Sequence, residues 1–167
     1  MAYQRLQVNN SIDVIPSDTV DIPDPATRVL TGVAAMNVAG TLTDVGTTFL
    51  TDGIQKNAIL YATSTGNAYT VVSVDSDTQL TITPAVAAAP AETYVIYNAP
   101  TLGATLYVGG AGNVSAVMAT NRDIAGTTLP GVNPSLFTNV PQGSFMPILV
   151  TRVRATATTA TTIKALF

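Results

Sequence analysis

The feature that most constrains this chain is a series of short segments in which apolar and polar residues alternate. Through residues 58–97 these segments are about four to six residues long, and Gly, Asn and Asp separate them. A period of two residues is typical of strands with one buried face, and those separating residues favour tight turns. No segment carries a strong helical pattern, so the sequence predicts an all-β fold.

The pattern of residues 42–98, in the middle of the chain, predicts a small antiparallel β-barrel or meander. Turns are expected at residues 65–67 and 75–77, and Phe49, Leu50 and Ile54 are expected to fill one end. The predicted strands of this unit cover residues 58–62, 69–74, 79–83 and 94–97.

The last third of the chain has the same strand character. A turn is expected at residues 109–112, and the last two strands are expected to form a hairpin through residues 157–160. Residues 28–41 also favour strand, because they contain β-branched residues broken by Gly32 and Gly40 and because Gly and Thr flank the segment. Helix is the alternative for residues 33–38, since alanine and methionine favour it. The predicted strands of the last third cover residues 105–108, 114–118, 136–140, 146–154 and 162–166, with a polar loop at 120–134.

The first 27 residues predict an extended N-terminal arm. Pro16, Pro23 and Pro25 remove backbone donors and disfavour helix before them, and short period-two strand signals lie between them. Such an arm suits pairing with an edge strand of its own chain or of a neighbour.

The low content of charged residues limits the partners that this chain can have. Charged residues make up 10% of the sequence, against roughly 25% in an average domain. A surface with so few charges favours an obligate assembly, while a monomeric Thr-rich β-domain is the alternative. A net charge of −3 with seven basic residues argues against binding nucleic acid. No apolar run approaches the roughly 20 residues of a membrane span, so no membrane partner is expected.

The side chains needed for most enzyme chemistry are missing from the sequence. With no His and no Cys, His-based and thiol-based catalysis are excluded. Glu92 is the single glutamate and lies in an Ala-rich segment, which does not suggest the paired carboxylates of a glycosidase. The glycine-rich segment 109–113 is followed by a predicted strand, so a turn is expected there instead of a dinucleotide loop. We predict no enzyme activity, no cofactor and no bound metal.

Four acidic residues of the arm allow two interpretations. They could hold calcium, but their spacing fits no EF-hand, and a solvated or partner-facing acidic arm is the alternative.

Arg152 and Arg154 share one face of a predicted strand, which lies either at an interface or in solvent. Tyr61, Tyr69, Tyr94 and Tyr97 form either a sugar-stacking surface or cross-strand packing pairs. The candidate shell or intersubunit contacts are Arg5, Asp13, Asp18, Asp21, Asp24, Arg152 and Arg154.

The order of motifs in the last third resembles a known group of proteins. The stretches "LYVGGAGNVSAVMA" and "FTNVPQGSFMPILVTRVRATATTATTIKALF" resemble a domain of tailed-phage and gene-transfer-agent virion proteins. Members of that group are described as capsid decoration or head-spike-base proteins. The pattern "FLTDGIQKNAILY" to "AETYVIY" is similar to small barrels inserted in phage structural proteins.

The resemblance implies a domain organisation and a function. The main domain would be a split sandwich or jelly-roll-like fold from residues 28–41 and 99–167, with the barrel of residues 42–98 inserted. The chain would bind the major capsid protein on the outside of the virion after synthesis in the host cytoplasm. It would act as a symmetric oligomer, a trimer in preference to a pentamer, and stabilise the shell. A head-spike or fibre base at the vertices and a host-glycan-binding module are the alternatives.

Overall fold

The computed structural model describes residues 8–36, 40–85, 89–119 and 134–167. Twelve strands and one short 3-10 turn, Pro25–Thr27, form the regular structure of these ranges. The strands are β1 (Ser11–Asp13), β2 (Arg28–Met36), β3 (Thr41–Thr43), β4 (Ile59–Ala62), β5 (Asn67–Ser76), β6 (Gln79–Thr83), β7 (Ala89–Tyr97), β8 (Ala104–Gly110), β9 (Gly112–Met118), β10 (Ser135–Val140), β11 (Ser144–Val153) and β12 (Thr161–Leu166). The all-β prediction is confirmed. Within the described ranges, no helix has the length and apolar character needed to cross a bilayer.

The chain divides into two compact units. One unit combines Met1–Val14 with Leu102–Phe167, and the other is Ile15–Thr101. The first contains a six-stranded antiparallel sheet in the order β1-β12-β8-β11-β9-β10, and the second contains a closed barrel in the order β2-β3-β6-β5-β4-β7. A discontinuous unit interrupted by a small barrel was expected, but the boundaries differ.

Residues 28–41 belong to the barrel and not to the main domain, which corrects the predicted division. Strand β2 pairs with β7 over most of its length and with β3 at its end. Strand β2 lies between β7 and β3 in the ring of six strands, so the barrel would be open without β2. The strand interpretation is confirmed for Arg28–Met36, so the helical alternative is wrong for residues 33–36, while residues 37–39 lie outside the described residues.

The barrel interior is filled by side chains from all six strands and from the loop after β3. Alternation in the sequence explains which side chains point inward, since β6 buries Leu80 and Ile82 between exposed or half-buried neighbours. Phe49 is fully buried and Ile54 nearly so, as predicted for residues that fill one end. Leu50 is 57% exposed, so its assignment to the interior is wrong.

The sheet of the other unit connects strands that are distant in sequence. Strand β11 pairs with β8 through its first half and with β9 from Val150 onward, so it lies between them. The expected turn at residues 109–112 therefore does not close a β8–β9 hairpin. Strand β12 pairs with β8 and β1, so the predicted β11–β12 hairpin is also wrong. The predicted polar loop falls almost entirely on residues 120–133, which lie outside the described residues.

The described part of the N-terminal segment belongs to both units, and its first strand pairs within its own chain, which is one of the two pairings expected for the arm. Strand β1 pairs with β12 at the edge of the sheet, and Val14 donates its backbone N–H to the Ile163 carbonyl at 2.9 Å. In the barrel unit, Val20 and Ile22 are 4% and 2% exposed. The segment bends at Asp18 and Thr19, where the Ser17 hydroxyl oxygen accepts from the Thr19 and Val20 backbone N–H groups. Its buried apolar residues help to cover the core of each unit.

Candidate interaction surfaces

The acidic residues of the N-terminal segment have separate positions. Asp13 is in the sheet unit, where its Oδ1 accepts a hydrogen bond from Lys164 Nζ at 2.6 Å. Asp18, Asp21 and Asp24 are in the barrel unit. Asp24 caps the short 3-10 turn, because its Oδ1 accepts from the Ala26 backbone N–H at 2.9 Å. In the part of the chain that the structure describes, no three acidic residues gather into a possible metal site.

Two of the predicted basic contacts lie at the end of β11 in the sheet unit, Arg152 within the strand and Arg154 directly after it. Arg152 and Arg154 are half-buried, while Thr151 and Val153 between and beside them are buried, as the alternation predicts. The alternation ends there, since β11 stops at Val153 and Ala155 is exposed. Arg5 lies outside the described residues.

A buried polar pair stabilises the barrel interior. Tyr94 is fully buried, and its hydroxyl donates to Asp44 Oδ2 at 2.7 Å. Asp44 Oδ1 accepts from the Gly46 backbone N–H at 2.9 Å. Burial raises the pKa of Tyr94, and the hydrogen bond to the Asp44 carboxylate raises it further. The phenol is therefore held neutral as a donor, which is a structural role.

Glu92 is also used within the fold. It is 1% exposed, and one of its carboxylate oxygens accepts from the backbone N–H groups of Ser64 and Thr65 at 3.2 and 3.1 Å. The Ser64 hydroxyl donates to the same oxygen. Three donors from one turn satisfy the buried charge, so Glu92 fixes the β4–β5 connection.

The tyrosines of the barrel do not form an exposed stacking surface. Tyr61, Tyr69, Tyr94 and Tyr97 are each at most 7% exposed. Tyr61 and Tyr97 come from neighbouring strands and meet edge to face, with ring centroids 6.0 Å apart. Burial raises the pKa of both phenols. The packing interpretation is confirmed for this pair, and the sugar-stacking interpretation of the four rings is wrong.

The glycine-rich segment is explained by close backbone contacts. A Cβ on Gly112 would lie 2.4 Å from the Ala160 backbone nitrogen, and one on Gly110 would lie 2.0 Å from Thr161 Oγ1. Strand β9 begins at Gly112, so no helix N-terminus is present to receive a phosphate. The glycines allow residues 160 and 161 to cross closely, and the dinucleotide interpretation is not supported by the fold of this segment.

Large apolar side chains remain exposed on the sheet unit. Leu102 is 81% exposed, Leu149 is 54%, Leu136 is 51% and Phe145 is 41%. A groove of about 580 Å³ lies along β10 and the first half of β11, between Leu136 and Ile148 in the sequence. The sequence analysis did not identify it. The missed signal is the unbroken apolar run at residues 145–150, which a half-buried strand cannot place on one face.

Comparison with models of known families, with curated proteins and with solved structures finds no match for this chain.

Proposed function

We propose that this chain is a structural protein of a tailed-phage or gene-transfer-agent virion that binds the outer capsid surface as a symmetric oligomer. A trimer that bridges neighbouring shell subunits and stabilises the shell is the preferred form. The order of motifs that resembles this group runs through strands β8 to β12, which belong to one sheet. The function itself is carried over from that resemblance.

The observation that carries the proposal is the exposure of four large apolar side chains in the sheet unit. Leu102, Leu136, Phe145 and Leu149 are between 41% and 81% exposed in a chain of which 10% is charged. Apolar side chains that remain exposed favour contact with a partner, and few charges surround them to keep the surface solvated. A shell partner and other copies of the chain would cover such a surface.

Oligomer formation would explain tight binding from modest contacts. Each protomer that contacts a shell subunit raises the effective concentration of the other protomers at theirs. A closed symmetric oligomer that matches the shell symmetry therefore dissociates more slowly than a single protomer. Glu92 and the four tyrosines of the barrel are buried within that unit, where Glu92 accepts from the β4–β5 turn and Tyr61 packs against Tyr97.

Binding to empty capsids of the particle that encodes the chain tests the proposal. We expect the purified chain to be oligomeric by light scattering, to co-sediment with the capsids to saturation, and to raise their resistance to heat. Hundreds of copies per particle are expected for a shell-covering protein, whereas tens of copies would indicate a vertex protein instead. A monodisperse monomer that does not bind the capsids would contradict the proposal.

The test should use point substitutions instead of removal of the N-terminal segment. Deleting residues 1–24 would remove strand β1 together with the buried Val14, Val20 and Ile22. Loss of capsid binding by such a deletion would not separate unfolding from loss of contact. Charge reversal at Asp18 or Arg152 leaves the apolar core residues in place. Because each of these residues also interacts within the chain, circular dichroism of each variant must show an intact fold before a loss of capsid binding is assigned to the predicted contact.

A further inference from the structure

The loop between β3 and β4 contains one helical turn, residues 48–54, that ends in a glycine cap. The Ile54 backbone N–H donates to the Phe49 carbonyl at 3.1 Å, and the Gly53 N–H donates to the Leu50 carbonyl at 3.2 Å. These two bonds, with Gly53 at a φ of +73°, form a Schellman motif, in which an apolar contact often joins the two ends of the turn. Phe49 and Ile54 are these two ends, and both belong to the barrel core.

The residue before the capping glycine is an aspartate. Asp52 is the only aspartate of the sequence that is followed by glycine. Because glycine has no side chain, its backbone nitrogen can come closer to the preceding carboxyl group than that of any other residue. Asp52 and Gly53 are exposed, and a Cβ on Gly53 would meet no atom within 4 Å. Water and both reacting groups are therefore accessible at this peptide bond.

The reaction open to such a pair is a rearrangement of the main chain through a cyclic imide. The Gly53 nitrogen attacks Asp52 Cγ, so that an N–C bond forms and the hydrogen of the nitrogen leaves with the carboxyl hydroxyl group as water. A water molecule then adds to one of the two imide carbonyls. Opening at the main-chain carbonyl gives isoaspartate, whereas opening at Cγ restores aspartate. The two steps release one water and consume one, so no oxidant or other co-reactant is needed.

The native turn keeps the two reacting atoms out of the geometry of this ring. The Asp52 N–H donates to the Thr48 carbonyl at 2.7 Å and the Gly53 N–H donates to Leu50, so Asp52 lies between two hydrogen bonds of a helical turn. A five-membered ring is nearly flat and requires an Asp52 Cβ–Cα–C–N torsion near zero, from which a helical ψ is far removed. The Thr48 hydroxyl also donates to Asp52 Oδ2 at 3.1 Å. Ring closure therefore requires the turn to open.

Two side chains from other parts of the barrel unit hold the turn closed. Asp77 Oδ1 accepts from two backbone N–H groups at the start of the turn, at 3.0 and 3.2 Å. Asn98 Nδ2 donates to the Gly53 carbonyl at 3.0 Å, and Asn98 Oδ1 accepts from the Gln55 N–H at 3.1 Å. Since Asn98 binds on both sides of Ile54, opening the end of the turn must break its two bonds.

We infer that Asp52–Gly53 is a modification site, at which Asp52 isomerises to isoaspartate, and that the Asn98 contacts limit the rate by holding the turn closed. The product adds one methylene to the main chain between Phe49 and Ile54. The two bonds of the Schellman motif depend on the spacing of these residues, so the modified turn cannot close as before and the core loses support. This inference goes beyond the proposed capsid role and does not depend on it, because the reaction needs only residues of the barrel unit.

Ageing of the full chain in mildly acidic buffer at body temperature tests the site. Trypsin releases residues 29–56 as one peptide, in which electron-transfer fragmentation in a mass spectrometer locates isoaspartate. We expect isoaspartate at residue 52 to exceed that at every other aspartate. The peptide mass stays the same, which distinguishes this reaction from deamidation of asparagine. Isomerisation of another aspartate ahead of Asp52, such as Asp75 before Ser76, would overturn the inference.

A pair of asparagine variants tests the role of the turn. Asn98→Ala removes both side-chain bonds at the end of the turn and should speed isoaspartate formation at residue 52 by about three- to tenfold. Asn67→Ala is the matched control, because Asn67 donates to Thr65 in an exposed turn elsewhere in the barrel, and should change the rate by less than about twofold. Equal rates in the two variants would contradict the role assigned to Asn98.

The unfolded wild-type chain provides a reference that needs no variant. In urea above the unfolding transition, isoaspartate at residue 52 should form at least about tenfold faster than in the native chain, because the turn is then always open. If circular dichroism shows that Asn98→Ala is unfolded, this comparison still decides whether the fold protects the bond. Equal rates in the native and the unfolded chain would rule out protection by the turn.

Discussion

Tyr94 and Asp44, fifty residues apart in the sequence, are joined inside the barrel by a hydrogen bond of 2.7 Å from the phenol to the carboxylate. The pair links strand β7 to the loop that follows β3. Asp44 also accepts from Gly46, so the same carboxylate orders the start of the loop that carries Phe49 into the core. The buried Asp44 carboxylate therefore holds the Tyr94 hydroxyl on β7 and also orders the loop that brings Phe49 into the core.

Tyr94→Phe should destabilise the barrel by about 1–3 kcal/mol. The substitution removes the hydroxyl and leaves Asp44 Oδ2 without its buried donor, while the ring still fills its site. Urea unfolding followed by circular dichroism measures the loss. Tyr107→Phe is the matched control, because Tyr107 is 39% exposed and should change stability by less than about 0.5 kcal/mol. Equal stability of the two variants would contradict the assigned role.

Gly32→Ala should also destabilise the barrel, through overpacking of the same pair. A Cβ at Gly32 would lie 2.5 Å from the Tyr94 hydroxyl oxygen and 2.7 Å from Asp44 Oδ2. We expect a loss of about 1–3 kcal/mol in thermal or urea unfolding. Gly46→Ala is the control, because its Cβ would meet only Asp44 Oδ1, at 3.4 Å. Because Gly32 and Tyr94 are in contact, Gly32→Ala with Tyr94→Phe should be non-additive, and strict additivity would argue against the contact.

Glu92→Ala should be more harmful than Glu92→Gln. Alanine leaves the two backbone N–H groups of Ser64 and Thr65 and the Ser64 hydroxyl without their acceptor, at an expected cost of about 2–5 kcal/mol. Glutamine keeps an oxygen that can accept from them and should recover much of this stability. Asp75→Ala is the control, since Asp75 is an exposed carboxylate that accepts from Ser73 and Thr81. If all three variants unfold alike in urea, Glu92 does not organise the turn.

The strands were more predictable from the sequence than their pairing was. Strand β6 has the predicted bounds, because alternation and flanking turn residues are local properties. The predicted turns at residues 65–67 and 75–77 join antiparallel neighbours in the barrel. The two hairpins predicted in the last third are wrong, because β11 lies between β8 and β9 and β12 pairs with β8 and β1, and such pairing depends on contacts between distant residues. Backbone N–H groups of Thr159 and Ala160, for example, donate to the Asn113 carbonyl at 2.9 and 3.1 Å. No local pattern in the sequence specifies that contact.

The groove was not predictable from alternation alone, for a related reason. Leu136 and Phe137 are adjacent apolar residues in β10, so they project to opposite faces of the strand. A sequence does not show which of two apolar faces another layer covers. The candidate contact residues were predicted from their charge alone. Asp13 and Asp24 were expected to face a partner protein, but Asp13 pairs with Lys164 and Asp24 accepts from Ala26 within their own units.

Alkaline titration should ionise the buried tyrosines only together with unfolding. Burial raises the pKa of Tyr61, Tyr94 and Tyr97 above the ordinary value of about 10. The neutral phenol is the folded form, so the associated stability is complete below pH 10 and is lost as the pH rises above it. Tyrosinate absorbance for these rings should rise in one step with the loss of circular dichroism. Their gradual ionisation near pH 10 in a folded barrel would contradict their burial.

Reversing the charge of Asp13 should loosen strand β1 locally. Asp13 and Lys164 have side chains that are 75% and 39% exposed, so water and salt screen the pair and its effect on global stability should stay below about 1 kcal/mol. Asp13→Lys or Lys164→Asp alone leaves like charges opposite each other on β1 and β12 and should speed amide exchange at Ser11–Asp13. The double variant that carries both Asp13→Lys and Lys164→Asp should restore slow amide hydrogen exchange. Raised salt should reduce the differences in exchange rate between the variants. If the double variant exchanges as fast as the single ones, the ion pair does not hold β1 on the sheet.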